Sequence, residues 1–208
     1  MQLNSLVIVI SAPSGSGKTT LIKNLLQLDN RFLFAVSTTT REKRRDEIDG
    51  ENYYFVTVPE FQRMIANNEL IEWNKVHDNL YGITKKEIDR IKDVGKIPIL
   101  DVDVQGAVVL KKLIDSAAFV FIVPPTRRDL EQRLRNRKTD SDEQISIRLA
   151  NSIREIKEFR LYDYIIVNDD LDEAVRNLQA IVTAELCRKD RVAYVIDEIL
   201  EEIDDNSA

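Results

Sequence analysis

Leu6-Val7-Ile8-Val9-Ile10 runs without a break into Ser11-Ala12-Pro13-Ser14-Gly15-Ser16-Gly17-Lys18-Thr19-Thr20, and a run with helical spacing follows as far as Leu28. The first five residues predict a fully buried strand. Thr19–Leu28 predicts a helix with Leu21, Leu25 and Leu28 on one face. A strand, a Gly-rich loop and a helix is the setting in which such a loop wraps the phosphates of a nucleoside triphosphate. Gly15 and Gly17 free the backbone to take positive φ and to approach an anion with no Cβ in the way. The helix start adds its positive dipole end. Lys18 supplies a full charge for the β- and γ-phosphates, and the Thr19 hydroxyl is placed to ligate Mg²⁺. Ala12 stands where the strict pattern has Gly, a small residue in a small residue's place.

The rest of the chain bounds what surrounds this loop. Its 208 residues, 43 % of them hydrophobic, suit one compact domain with a full core. A formal charge of -6 argues against a general nucleic-acid binder, so any functional cations must be local. A single cysteine, Cys187, excludes an internal disulfide and fits a reducing compartment; its place in a predicted helix makes it an expected small core residue. No apolar run approaches the roughly 20 residues of a membrane helix, and the start has no leader-like pattern. The expectation is a cytoplasmic protein without a membrane partner. His77, the only histidine, has no ligand or nucleophile at a meaningful spacing and is expected at the surface.

Strand patterns recur at Leu6–Ile10, Ile97–Val102, Ala118–Val123 and Tyr164–Val167. Helical patterns lie between and after them, over Thr84–Val94, Gln105–Ile114, Thr126–Arg135, Asp142–Phe159 and Leu171–Arg188. Apolar strands alternating with helices predict an α/β fold: a parallel-sheet core flanked by helices. Two stretches break the alternation. Residues 37–83 mix strand-like Tyr53–Val56, a short helix over Pro59–Asn67 and an extended Leu70–Val76, and they predict an inserted mixed α/β subdomain. Residues 136–143 are polar and suit a short lid. The core then comprises residues 1–36, 84–135 and 144–190. The acidic stretch Asp197–Ser207, within a tail of 191–208, predicts a short fraying helix.

Several stretches in order resemble the guanylate kinases, the family that moves a phosphoryl group from ATP to GMP. They are the phosphate loop, Val36-Ser37-Thr38-Thr39-Thr40-Arg41, Asp49-Gly50-Glu51-Asn52-Tyr53-Tyr54-Phe55-Val56, Ile71-Glu72-Trp73 with Tyr81-Gly82, Ile99-Leu100-Asp101-Val102-Asp103 with Gln105-Gly106, and Ile166-Val167-Asn168-Asp169-Asp170. The resemblance covers about residues 5 to 188. It implies a core with the phosphate loop (Ala12 to Thr20), a GMP-binding insert and a lid, with ATP and Mg²⁺ as cofactors. Arg41, Arg44, Tyr53 and Tyr81 would hold the acceptor phosphate, Arg as a bidentate fork and Tyr as an uncharged donor. Glu72 would read guanine by accepting from its N1–H and N2–H together, with Ser37 as a second base contact. Relatives often carry a hydroxyl residue directly after Tyr-Gly; here Ile83 stands there and Thr84 follows, so Thr84 is the candidate replacement.

Asp101 and Asp103 close an apolar strand on alternating positions and point to one face at the sheet's carboxyl end. By the same resemblance Asp101 would assist Mg²⁺ and Asp103 would face the acceptor. Arg137 and Arg148 would close over the triphosphate, with Arg133 and Arg135 nearby, and Asn168 would border the donor adenine. The lid reads Asn136-Arg137-Lys138 where relatives often have glycines on both sides of the arginine. These implications point to ATP-dependent phosphorylation of GMP and dGMP by a monomer or homodimer. A non-catalytic nucleotide- or protein-binding module, or a kinase acting on another monophosphate, are the alternatives. Lys18, Thr19 and Asp101 weigh against the first of these, because a binding module has no use for triphosphate chemistry.

Overall fold

A computed structural model describes residues 6–76, 78–136 and 141–205. Five parallel strands form the main sheet in the order β2-β7-β1-β8-β9, with β1 over Val7–Ser11, β2 over Phe32–Phe34, β7 over Ile97–Asp101, β8 over Ala117–Val123 and β9 over Tyr164–Val167. Ile8, Val9 and Ile10 of β1 pair with Ile99, Leu100 and Asp101 on one side. The same three pair with Ala118, Phe119 and Val120 on the other. Val7 to Ser11 are buried throughout, as a strand covered on both faces must be. Helix α1 (Lys18–Leu28) and α7 (Leu171–Leu186) cover one face; α3 (Lys85–Asp93) and α4 (Val104–Lys111) cover the other. Helices α5 (Arg127–Arg135) and α6 (Asp142–Lys157) share a small apolar cluster of Leu130, Leu134 and Ile145 at one end.

The insert folds as its own four-stranded sheet in the order β4-β3-β6-β5, formed by β3 (Thr38–Thr39), β4 (Tyr54–Phe55), β5 (Leu70–Val76) and β6 (Asn79–Thr84). Helix α2 (Val58–Ala66) starts at a Thr57–Glu60 capping box and buries Phe61. The parallel α/β core is therefore as the alternation predicts, but several details differ. β2 is a three-residue strand that carries no periodic signal of its own. Leu28, expected on the buried face of α1, is 67 % exposed because the contact ends one turn earlier at Leu25. Cys187 is exposed rather than core: α7 buries Ala174, Val175, Leu178, Val182 and Glu185, a rhythm that skips Cys187 at the helix's end. The acidic C-terminal stretch is a far longer helix than expected, α8 over Lys189–Asp205. His77 and residues 137–140 of the expected lid lie outside the described residues.

Candidate active site

Gly15 and Gly17 adopt φ of +93° and +88°, the left-handed backbone that only glycine takes without strain. The turn closes by Ser16 N–H donating to the Pro13 carbonyl at 3.1 Å. Behind the loop, Asn168 Nδ2 donates to the Ser16 carbonyl at 2.7 Å, and Arg133 donates to the Ser16 and Asn168 carbonyls. From α6, Ser152 Oγ donates to the Ser14 carbonyl at 3.2 Å. Asn168 thus braces the loop through the Ser16 carbonyl and is not among the residues lining the loop cavity. That cavity is of about 270 Å³ and is lined by Ala12 to Thr20, Asp103 and Glu155. Burial pushes the Glu155 carboxyl above its usual range, and the approaching Ser14 N–H pulls it partly back.

Lys18 begins α1 and reaches across to β7, where its Nζ donates to the Val102 carbonyl at 3.0 Å and pairs with Asp101. Asp101 is the last residue of β7, so the strand's carboxyl end delivers it opposite the loop, the usual ligand position in open α/β sheets. Asp103 has two jobs. Its Oδ1 caps α4 by accepting from Gly106 N–H at 2.7 Å, and its Oδ2 accepts from Asn74 Nδ2 at 2.9 Å.

Between the two sheets lies a second cavity of about 460 Å³, lined by Ser37, Tyr53, Glu72, Tyr81, Asp101 and Asp103 among others. Glu72 is 8 % exposed and its carboxyl is pushed up to about 7, first by burial and then by the charge of Asp103. Its room comes from Gly106, where a Cβ would lie 2.8 Å from Glu72 Oε1. At the cavity's other end the Arg41 guanidinium stands over the rings of Tyr53 and Phe55, at 5.4 and 5.7 Å from their centroids. Arg41 Nη2 pairs with Glu47 Oε1 at 2.6 Å, and the Arg44 backbone N–H donates to Glu47 Oε2 at 2.9 Å. Arg41 and then that N–H hold the Glu47 carboxyl below its usual range. The Tyr53 and Tyr81 rings meet edge to face at 5.9 Å.

The structure thus gathers Ser37, Tyr53, Glu72, Tyr81, Asp101 and Asp103 around one space, with Arg41 set against Tyr53 and Glu47 of its wall. Arg44 is exposed on the loop beside it, and Arg148 is half-buried on α6. Thr84 is not brought in: its Oγ1 caps α3 by accepting from Glu87 N–H at 3.1 Å. Ile83 is packed in the core, so the residues after Tyr81-Gly82 offer the cavity no hydroxyl. Glu47, Asn74, Lys23 and Glu155 line these spaces with no signal in the sequence beyond their polarity. Thr19 and Asp101 offer two oxygen donors at the shared mouth. That set suits Mg²⁺, a hard ion that keeps several waters and shares substrate phosphates with one or two protein oxygens.

The family model for guanylate kinase matches residues 4–185. Among curated relatives, the guanylate kinase of Geobacter metallireducens is 41 % identical over 95 % of this chain and 98 % of its own. That of Rhizobium meliloti is 44 % identical over 89 % and 85 %. The crystal structure of guanylate kinase from Anaplasma phagocytophilum superposes with a TM-score of 0.72 at 31 % identity, covering 90 % of this chain and 89 % of that one. With a phosphate loop and a carboxylate-lined cleft meeting at one mouth, and a match that spans nearly the whole chain, the protein belongs to the guanylate kinase family.

Proposed function

We propose that the protein transfers the γ-phosphoryl group of ATP to GMP, and to dGMP, by direct in-line displacement. One observation carries this reading: Thr19 and Asp103 line both the loop cavity and the cleft that holds Glu72, so a donor and an acceptor phosphate seated in them meet at a common wall. The match to catalytic relatives along the whole chain leaves little to favour a binding-only module.

In this reading the loop amides and Lys18 hold the triphosphate, and Thr19 with Asp101 receives the Mg²⁺ that ATP carries. Arg41, Arg44, Tyr53 and Tyr81 hold the acceptor phosphate, with Arg41 already oriented by Glu47 and the aromatic rings. Glu72 and Ser37 select guanine, Asp103 faces the acceptor, and Arg137 and Arg148 close over the donor phosphates. No side chain need act as nucleophile, because the acceptor phosphate oxygen attacks the γ-phosphorus while the β–γ bridging oxygen leaves with ADP. Positioning and charge neutralisation supply the acceleration. In this reading the protein acts in the cytoplasm. A coupled ADP-release assay over GMP, dGMP, AMP, CMP and UMP tests the reading. GMP is expected to exceed AMP in kcat/KM by at least about a hundredfold. Equal rates with another base would overturn it.

A further inference from the structure

We propose that Glu87 is a positioning residue for the acceptor nucleotide: its buried carboxylate ties together two of the chain segments carrying the acceptor contacts, and its backbone N–H holds the third. The inference rests on the reading of the cleft as the GMP site. Glu87 stands in the first turn of α3 and is 3 % exposed. Its Oε1 accepts from Val36 N–H at 3.0 Å and from Arg90 Nη2 at 2.8 Å. Its Oε2 accepts from the Tyr54 hydroxyl at 3.2 Å and from Arg90 Nε at 2.8 Å. The Glu87 backbone N–H donates to Thr84, at the end of β6.

Those partners are the neighbours of the site. Val36 is the last residue before Ser37, where the chain leaves the core for the insert. Tyr54 directly follows Tyr53, and its backbone N–H donates to the Ser37 carbonyl at 2.9 Å. Thr84 ends the strand that carries Tyr81 and Gly82 into the cleft, where the chain returns to the core. The outgoing crossing at Val36 and the strand that follows Tyr53 are therefore tied to one carboxylate, and the return crossing at Thr84 is held by the backbone N–H of the same residue. Side chains reach a ligand accurately only when their backbones are held, and an error of about 1 Å in placement costs up to about a hundredfold. Nothing else in the fold requires a charge here. An apolar residue there would leave Val36 N–H and the Tyr54 hydroxyl without these partners. Burial on its own would raise the Glu87 carboxyl; Arg90 and the Val36 N–H more than offset it, so the group is ionised at neutral pH.

Steady-state kinetics of the full-length protein test this, with GMP and ATP varied separately. In Glu87→Gln, KM for GMP is expected to rise about tenfold, while KM for ATP moves less than twofold and kcat less than threefold, because the phosphate loop touches none of these bonds. Tyr54→Phe, which removes one bond and no charge, is expected to raise KM for GMP two- to threefold at an unchanged melting temperature. A KM for GMP within 1.5-fold of wild type in both variants overturns the proposal, even if Glu87→Gln melts earlier. Equal rises in both KM values also overturn it, since that is the mark of general loosening. If Glu87→Gln does not fold, Tyr54→Phe decides alone. Failure of the wild type to phosphorylate GMP would instead sink the reading on which the inference rests.

Discussion

The phosphate loop and the acceptor cleft meet at one mouth, yet they are made in opposite ways. The loop is nine consecutive residues, Ala12 to Thr20, whose donors are mostly backbone N–H groups, and its shape follows from two glycines and the start of a helix. The cleft takes side chains from β6, from the end of β7, from the bulged strand β5 and from loops of the insert. Two cations at the mouth are already engaged, Arg41 with Glu47 and Lys18 with Asp101. A site of contiguous backbone is pre-formed by local geometry, whereas a site of scattered side chains depends on whatever holds the segments in register. Losing one charge from the first should damage chemistry, and losing one from the second should damage recognition.

The sharpest break between the two comes from Lys18→Ala. It removes the only full charge of the loop, and kcat is expected to fall by about two to three decades, the scale of losing one preorganised charge-stabilising group. GMP binding measured by calorimetry should stay within about threefold, since the acceptor cleft keeps all its residues. A variant retaining more than about a tenth of wild-type turnover at saturating ATP would remove the loop from the chemistry.

Glu72→Gln is expected to act on recognition instead. One acceptor oxygen becomes an NH₂ facing a guanine donor, so the kcat/KM ratio of GMP to AMP should fall by about 2 to 4 kcal/mol. The pH profile sharpens the point. With the free carboxyl at about 7, wild-type kcat/KM for GMP should drop below that pH as Glu72 takes a proton. In Glu72→Gln this limb should vanish, leaving only that of the substrate phosphate near pH 6. The stability sign is the reverse. A carboxyl that titrates at about 7 when folded and at 4.5 when unfolded binds the extra proton in the native state, so stability falls as pH rises from 4.5 to 7. Above pH 7, Glu72→Gln should therefore be more stable than wild type, by up to about 3 kcal/mol. An unchanged base ratio together with an unchanged melting temperature at pH 8 would show that Glu72 is neither the reader nor strained.

The same contrast explains what could be read in advance. The loop, the parallel sheet and most helix starts are local patterns, and the sequence displays them. Of the cleft, the pattern showed only the insert and Asp101 with Asp103 at a strand's carboxyl end; the rest was legible only through resemblance. In β5 the rule of apolar-in, polar-out fails: Glu72 is buried while Trp73 is 46 % exposed, a local violation of the kind expected where function overrides folding. The Arg41–Glu47 pair, the Asn74–Asp103 bond and the Glu87 bonds to Tyr54 and Val36 join residues 6, 29, 33 and 51 positions apart, and no spacing rule links them. Asp103 shows how roles overlap. Helix capping is a sufficient reason for its presence, and the cleft uses it as well. Arg137 lies outside the described residues, so its part in closing the lid rests on resemblance.

The smallest effect is expected from Gly106→Ala, and it tests whether the cleft depends on packing as fine as the loop's. Gly106 lies inside α4, where glycine costs about 1 kcal/mol against alanine, so folding alone disfavours it. A Cβ there would lie 2.8 Å from Glu72 Oε1, 3.1 Å from Glu72 Cδ and 3.2 Å from Val102 Cβ. The glycine therefore makes room for a carboxylate that has to point into the cleft. Alanine should push Glu72 aside by a few tenths of an ångström and raise KM for GMP about tenfold, roughly 1.4 kcal/mol, with KM for ATP unchanged. The helix should gain from the alanine, so the melting temperature should hold or rise. A variant that is more stable and binds GMP as well as wild type would show that Glu72 has slack, and that the cleft tolerates what a phosphate loop with a Cβ at Gly15 or Gly17 would not.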